Sequence, residues 1–141
     1  MTTQTTTTDL AALALRVTSG VAFVAHGLIK VQVFTIPGTV AYFESLGLPG
    51  FVAYLTILAE IGGGLLLIAG VATRLVSLPL LGVLLGALVV HSGNGWTFSN
   101  AGGGWEFPAY WAATQAVIAI LGAGAYRVQL PILNRTLGQF A

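Results

Sequence analysis

The chain has 141 residues, of which 56% are hydrophobic and only 6% are charged. A soluble domain carries about 25% charged residues, so this composition excludes an ordinary water-covered surface and indicates one that faces lipid. The net charge of +1 argues against a nucleic-acid partner, because such binding requires a basic patch. The chain has no cysteine, which excludes disulfides, thiol relays and iron–sulfur ligation by its own side chains.

Four apolar segments follow a threonine-rich start. They cover residues 10–33, 51–70, 75–91 and 108–126, and each is close to the ~20 residues that span a bilayer core. We therefore predict an all-α fold, an integral membrane four-helix bundle over residues 10–127. Residues 1–9 are expected to be a disordered tail, and residues 128–141 a cytoplasmic C-terminal tail.

The charges and tryptophans predict an orientation. Four spans place both termini on one side of the membrane, and the arginines fall on that side: Arg16, Arg74, Arg127 and Arg135. The opposite side carries Lys30, Glu44 and Glu106. The positive-inside rule then predicts a multi-pass protein of the bacterial inner membrane with both termini in the cytoplasm. The three tryptophans, Trp96, Trp105 and Trp111, are expected to form an aromatic belt at the outer interface.

Two loops are expected at the outer side. Residues 34–50 contain an apolar stripe of Val40, Phe43 and Leu46, which predicts a short helix lying on the membrane surface. Residues 91–107 are rich in glycine and aromatic side chains, and this glycine-rich outer loop is expected to fold back over the bundle. Gly82 and Gly86 form a GxxxG pair, a pattern that favours close helix packing.

Ionisable residues inside the apolar segments are the candidate catalytic groups: Arg16, His26 and Glu60. Estimated from the helical rise, His26 and Glu60 lie at similar depth, and Arg16 could reach toward Glu60. A buried carboxylate must be paired or protonated, so we expect Arg16 or His26 to pair with it. Two interpretations stay open, an ion pair that fixes helix register and a group that handles a proton.

Further polar and aromatic residues are the candidate ligand-binding groups: Phe23, Lys30, His91, Trp105, Glu106 and Gln115. Lys30, His91 and Glu106 are expected to gather at the outer end beside Trp105. A haem held by His26 and His91 is disfavoured, because the two histidines are expected at different depths. No metal site is predicted, because two ligands without motif spacing are weak evidence.

Several motifs, in order, resemble the DoxX family of small bacterial four-helix membrane proteins. They are the Arg16 segment with HGLIK at 26–30, FESLGLPG at 43–50, AEIGGGLLLIAGVATR at 59–74, His91, and GGGWEFPAYW at 102–111. The resemblance implies a cytoplasmic-membrane protein linked to redox chemistry, because related DoxD-type proteins are subunits of thiosulfate:quinone oxidoreductase. It also implies a set of family polar positions: Arg16, His26, Lys30, Glu60, Arg74, His91 and Glu106.

Three functions are compatible with this pattern. The first is a subunit of a membrane redox system that binds or reacts with quinone through its buried polar layer. An enzyme of this kind would be a quinone-linked oxidoreductase. The second is a non-catalytic assembly or scaffold subunit of a membrane complex. The third is a small-molecule transporter, ranked last because four helices enclose little volume. Membrane lipid is an expected partner, together with other subunits or further copies of the chain.

Overall fold

The computed structural model describes residues 5–130 and 135–136, and these contain helices and no strand. Within residues 5–130 the structure has five helices: α1 (Thr7–Gln32), α2 (Ile36–Ser45), α3 (Phe51–Ala69), α4 (Thr73–His91) and α5 (Glu106–Leu121). The predicted all-α class is thus confirmed. Of the predicted tails, residues 1–4, 131–134 and 137–141 lie outside the described residues.

In the part of the chain that the structure describes, three helical stretches are long and apolar enough to cross a bilayer, Thr7–Gln32, Phe51–Ala69 and Thr73–Asn94. The last of these is α4 with the short 3₁₀ turn Ser92–Asn94. The fourth predicted span is shorter than expected, because Gly122 at φ +76° ends α5 after 16 residues. A helix of that length rises about 24 Å, so a fourth crossing stays a prediction.

α1, α3, α4 and α5 nevertheless share one apolar core. Its fully buried side chains come from all four helices and include Phe23, Leu67, Leu80 and Ile118. The outward faces are equally apolar, as shown by Val89, which is 73% exposed. A surface of this kind is stable against lipid and unstable in water, which agrees with an integral membrane protein.

α1 begins at Thr7, three residues before the predicted start, because a capping box holds its first turn. The Asp9 backbone N–H donates to the Thr6 hydroxyl, and the Thr6 backbone N–H donates to the Asp9 carboxylate at 3.0 Å. Asp9 also accepts from the Ala125 N–H at 2.9 Å, which brings the start of α1 beside the chain that follows α5. We call this side of the bundle the terminal end.

The opposite side, the loop end, carries α2 and the glycine-rich loop. α2 is the predicted surface helix, and the Thr39 hydroxyl anchors it by donating to the Lys30 carbonyl at 2.9 Å. The glycine-rich loop closes on itself, because the N–H groups of Trp105 and Glu106 donate to the carbonyls of Gly95 and Trp96. Its place over the bundle stays a prediction.

α1 and α3 cross closely at glycine. A Cβ placed on Gly20 would lie 2.6 Å from the Gly64 carbonyl oxygen, and one on Gly64 would lie 2.7 Å from the Gly20 oxygen. The GxxxG pair behaves differently, because a Cβ on Gly82 or Gly86 would meet nothing within 4 Å. The expected packing contact at that pair is therefore wrong within the described chain, and the close crossing belongs to Gly20 and Gly64.

Candidate functional site

A buried ion pair joins α1 to α3 near the loop end. The Lys30 ammonium donates to Glu60 Oε1 at 2.8 Å. The Glu60 side chain is only 6% exposed and that of Lys30 is 19% exposed. Glu60 Oε2 is buried without a hydrogen-bond partner among the described residues. A buried carboxylate oxygen without a partner is costly, so this atom is where a proton or a ligand donor would be most stabilising.

The local backbone of α3 explains how a carboxylate comes to lie there. Glu60 is the second residue of a π turn, Ala59–Gly63, and such turns are rare and occur frequently at functional sites. α1 packs directly on this turn through Gly27, where a Cβ would come within 2.5 Å of the Ile61 side chain and 3.2 Å of Glu60 Cβ. The glycine of the HGLIK motif therefore lets the two helices approach, one helical turn from Lys30.

A cavity of about 560 Å³ opens beside the ion pair, between the ends of α1 and α4 and the underside of α2. Its walls are mostly apolar and include Phe34, Phe43 and Val90. Lys30 and His91 contribute the nitrogen groups. The volume and the small number of polar groups are typical of a small-molecule site.

Arg16 does not join this site, so its predicted pairing with Glu60 is wrong. It is 1% exposed, and its guanidinium donates to the carbonyls of Leu67 at 2.9 Å and Ala123 at 3.1 Å. It also donates to the carbonyls of Ile68 and Tyr126. These carbonyls lie in the last turn of α3 and in the chain after α5, and a cation is favoured at the C-terminus of a helix. Arg16 therefore joins three segments at the terminal end.

His26 also lies away from Glu60. Its ring packs 5.1 Å from the Trp111 ring and 6.2 Å from the Phe107 ring, measured between centroids. A direct relay between His26 and Glu60 is therefore not formed.

Trp111 is 8% exposed and lies 4.4 Å from Phe23, so it is a core residue, and its predicted place in the interfacial belt is wrong. Phe23 is fully buried in the same contact and has no free face for a ligand.

Gln115 completes a hydrogen-bonded chain across three helices. The Trp111 indole donates to Ser19, Ser19 donates to the Gln115 carbonyl oxygen, and the Gln115 amide donates to Ser77, at 2.8–2.9 Å. Gln115 is completely buried, and both of its polar atoms have partners. A satisfied network of this kind fixes how the helices pack.

The predicted outer layer divides into two sites. Lys30 and His91 line the same cavity, and His91 Nδ1 lies 3.0 Å from the carbonyl oxygens of both Gly102 and Gly103. Glu106 lies at the start of α5, where its Oε2 accepts from the Phe98 N–H at 3.3 Å. Trp105 contacts the Trp96 ring edge-on at 4.5 Å. Glu106 therefore belongs to the glycine-rich loop, apart from Lys30.

The sequence patterns do not predict three residues of the cavity and of the Gln115 network. Thr39 and Tyr42 line the cavity from α2, for which the apolar stripe predicts only a surface helix. Ser19 lies at i, with Phe23 at i+4 and Lys30 at i+11, which places all three on one helical face. That periodicity could have identified Ser19, whereas nothing in the sequence fixes how α2 covers the bundle.

Comparison with known proteins identifies a family and two relatives. The DoxX family model matches residues 11–93, which include Lys30, Glu60 and His91. A Bacillus subtilis protein named "Putative oxidoreductase CatD" is 41% identical over 81 residues, covering 57% of this chain and 59% of its own length. The Escherichia coli protein named "Inner membrane protein YqjF" is 38% identical over 85 residues, 60% of this chain and 64% of its own.

The chain thus spans about three fifths of the length of these relatives. No solved structure matches it. Because the family model covers more than half of the 141 residues, this chain belongs to the DoxX family of membrane proteins.

Proposed function

We propose that the chain is a subunit of a membrane redox system and that the cavity beside Lys30 and Glu60 binds a quinone headgroup. The observation that carries the proposal is the unpartnered Glu60 Oε2 behind a cation that lines an apolar cavity. The name of the Bacillus subtilis relative supports an oxidoreductase role. A quinone, when bound, supplies a carrier for two electrons and two protons.

The residues of the cavity fit such a ligand. The apolar walls suit the ring and the start of a hydrocarbon tail, and a cavity of about 560 Å³ accommodates a substituted ring. Lys30 carries N–H groups of the kind that orient a carbonyl oxygen. The phenol of Tyr42 adds a second donor on the α2 side, whereas His91 uses Nδ1 on the carbonyls of Gly102 and Gly103, so its other ring nitrogen suits a ligand hydroxyl.

Glu60 is the proton-handling group in this proposal. Its Oε1 is held by Lys30, and its Oε2 is free to hold a proton. A ligand acceptor that takes over the Lys30 ammonium would remove the charge that stabilises the Glu60 carboxylate, and the carboxylate would then take up a proton. Ligand binding and protonation of Glu60 are therefore coupled through Lys30. Arg16, which is also predicted for this polar layer, has a structural role instead.

The test is quinone binding to purified protein in lipid nanodiscs, with a short-chain ubiquinone as the probe. Ala87 lines the cavity, so Ala87→Trp fills it and should reduce binding at least tenfold. Val89 lies on the same helix and is 73% exposed, so Val89→Trp is the matched control and should bind as the native protein does. Equal binding by both variants would refute the cavity as the site and would favour the assembly-subunit function.

A further inference from the structure

A second cavity, of about 490 Å³, lies between the glycine-rich loop and the first turns of α5. Its lining is dominated by aromatic rings, those of Trp96, Phe98, Phe107 and Tyr110. Glu106 is the one charged residue among those that line it. We call this cavity the aromatic pocket. It shares no lining residue with the cavity beside Lys30, so a ligand of the aromatic pocket is independent of the quinone proposal.

The loop is built to hold these rings in place. The Glu106 N–H donates to the Trp96 carbonyl at 3.0 Å, and the Phe98 N–H donates to the Glu106 carboxylate at 3.3 Å. Gly104 allows this closure, because a Cβ there would lie 2.3–2.6 Å from the carbonyl oxygens of the opposite side of the loop, residues 95–97. The pocket is therefore a folded feature of the loop and not a gap between loose side chains.

Among the described residues, the Glu106 carboxylate has no cationic side chain as a partner, although it lies in the favourable first turn of α5. No lysine or arginine in residues 5–130 or 135–136 lies within ion-pair distance of it, and Lys30, the lysine of the loop end, is held by Glu60. Its Oε2 accepts one hydrogen bond, and Oε1 accepts none from the described residues. The Glu106 carboxylate therefore lies among aromatic rings without a counter-charge, and a cationic ligand could supply one.

Aromatic rings and a carboxylate together select one ligand chemistry. The faces of Trp, Tyr and Phe rings attract cations, and the attraction grows as water is displaced. The carboxylate repels anions and would be desolvated at a cost by a neutral apolar group. We propose that the aromatic pocket binds an organic ammonium group, with Glu106 as its counter-charge. The ammonium group belongs either to a soluble amine or to a lipid headgroup at the membrane surface.

The test follows the indole N–H signals of the three tryptophans by NMR on the full chain in phosphatidylglycerol nanodiscs, which contain no ammonium lipid. Trp96→Phe assigns the Trp96 signal. Choline chloride is titrated at constant ionic strength. We expect the Trp96 signal to shift and saturate, while the signal of Trp111, which is 8% exposed in the core, stays in place.

Glu106→Gln keeps an oxygen that accepts from the Phe98 N–H, so the loop is retained while the charge is lost. We expect this variant to bind choline at least fivefold more weakly. Glu44→Gln removes a different carboxylate of the loop end, one that does not line the pocket, and should leave choline binding unchanged.

Nanodiscs that contain phosphatidylethanolamine distinguish the two sources of the ammonium group. If the lipid headgroup is the ligand, these nanodiscs shift the Trp96 signal without choline and weaken choline binding, and Glu106→Gln removes both effects. If a soluble amine is the ligand, choline alone shifts the signal. A Trp96 signal that responds to neither, or a Glu106→Gln variant that binds as tightly as the native chain, would overturn the proposal.

Discussion

Replacing Lys30 by methionine tests the buried ion pair most sharply. The substitution keeps the length of the side chain but leaves Glu60, at 6% exposure, without its partner. Removing one partner of a buried pair costs about 3–5 kcal/mol. Lys30 is 19% exposed and lines a cavity that admits water, so we expect the low end of this range, about 3 kcal/mol.

Glu60→Gln, alone and combined with Lys30→Met, separates the energy of the ion pair from the effect of each single substitution. Glu60→Gln leaves a lysine that can reach the cavity, so we expect a loss of about 1 kcal/mol. The double variant Lys30→Met with Glu60→Gln has no buried charge, and it should be more stable than Lys30→Met alone by about 2 kcal/mol. In a double-mutant cycle, this recovery is part of the measured coupling energy between Lys30 and Glu60.

The assay is thermal unfolding in mild detergent, followed by the loss of helical circular dichroism. With about 2–4 °C per kcal/mol for a chain of this size, Lys30→Met should lower the midpoint by about 10 °C. The double variant should regain most of that loss. Unchanged stability of Lys30→Met, or a double variant no more stable than it, would refute the ion pair.

The same unfolding assay checks three further contacts. Gly20→Val drives a side chain into the backbone of α3 and should cost about 3 kcal/mol or more, whereas Gly82→Val, with open space around it, should cost less than about 1 kcal/mol. Arg16→Lys loses the planar fork that reaches several carbonyls and should cost about 2–3 kcal/mol. Gln115→Leu leaves two serine hydroxyls without their amide partner and should cost about 1–2 kcal/mol. Equal losses for the two glycine variants, or no loss for Arg16→Lys or Gln115→Leu, would contradict the corresponding contact.

The fold could be predicted to a useful degree because composition and apolar runs determine where helices can form. Three of the four predicted spans match helices that are long and apolar enough to cross a bilayer. The predicted end of α5 is too late because the sequence after Leu121 stays apolar, while Gly122 adopts a left-handed φ that ends the helix. Hydropathy alone does not detect such an end.

The ionisable residues near the cavity could be named from the sequence, but their pairing could not, and neither could Thr39 and Tyr42 of its wall. Lys30 and Glu60 are both candidates from the sequence, yet estimated depth assigns Glu60 to Arg16 or His26. That estimate assumes a regular α3 and omits side-chain length, so it places a lysine one turn above His26 in another layer. The carbonyls in the last turn of α3 bind Arg16 instead, and no periodicity in the sequence reveals that contact.

Infrared difference spectroscopy on quinone addition tests the central claim, that the cavity ligand and the Glu60 proton are coupled. Native protein in nanodiscs should show a carboxyl band that changes when a short-chain ubiquinone is added. The band should be absent in Glu60→Gln and lost in Ala87→Trp, and it should persist in Val89→Trp. The absence of any carboxyl change in the native protein, or an identical band in Glu60→Gln, would contradict the account.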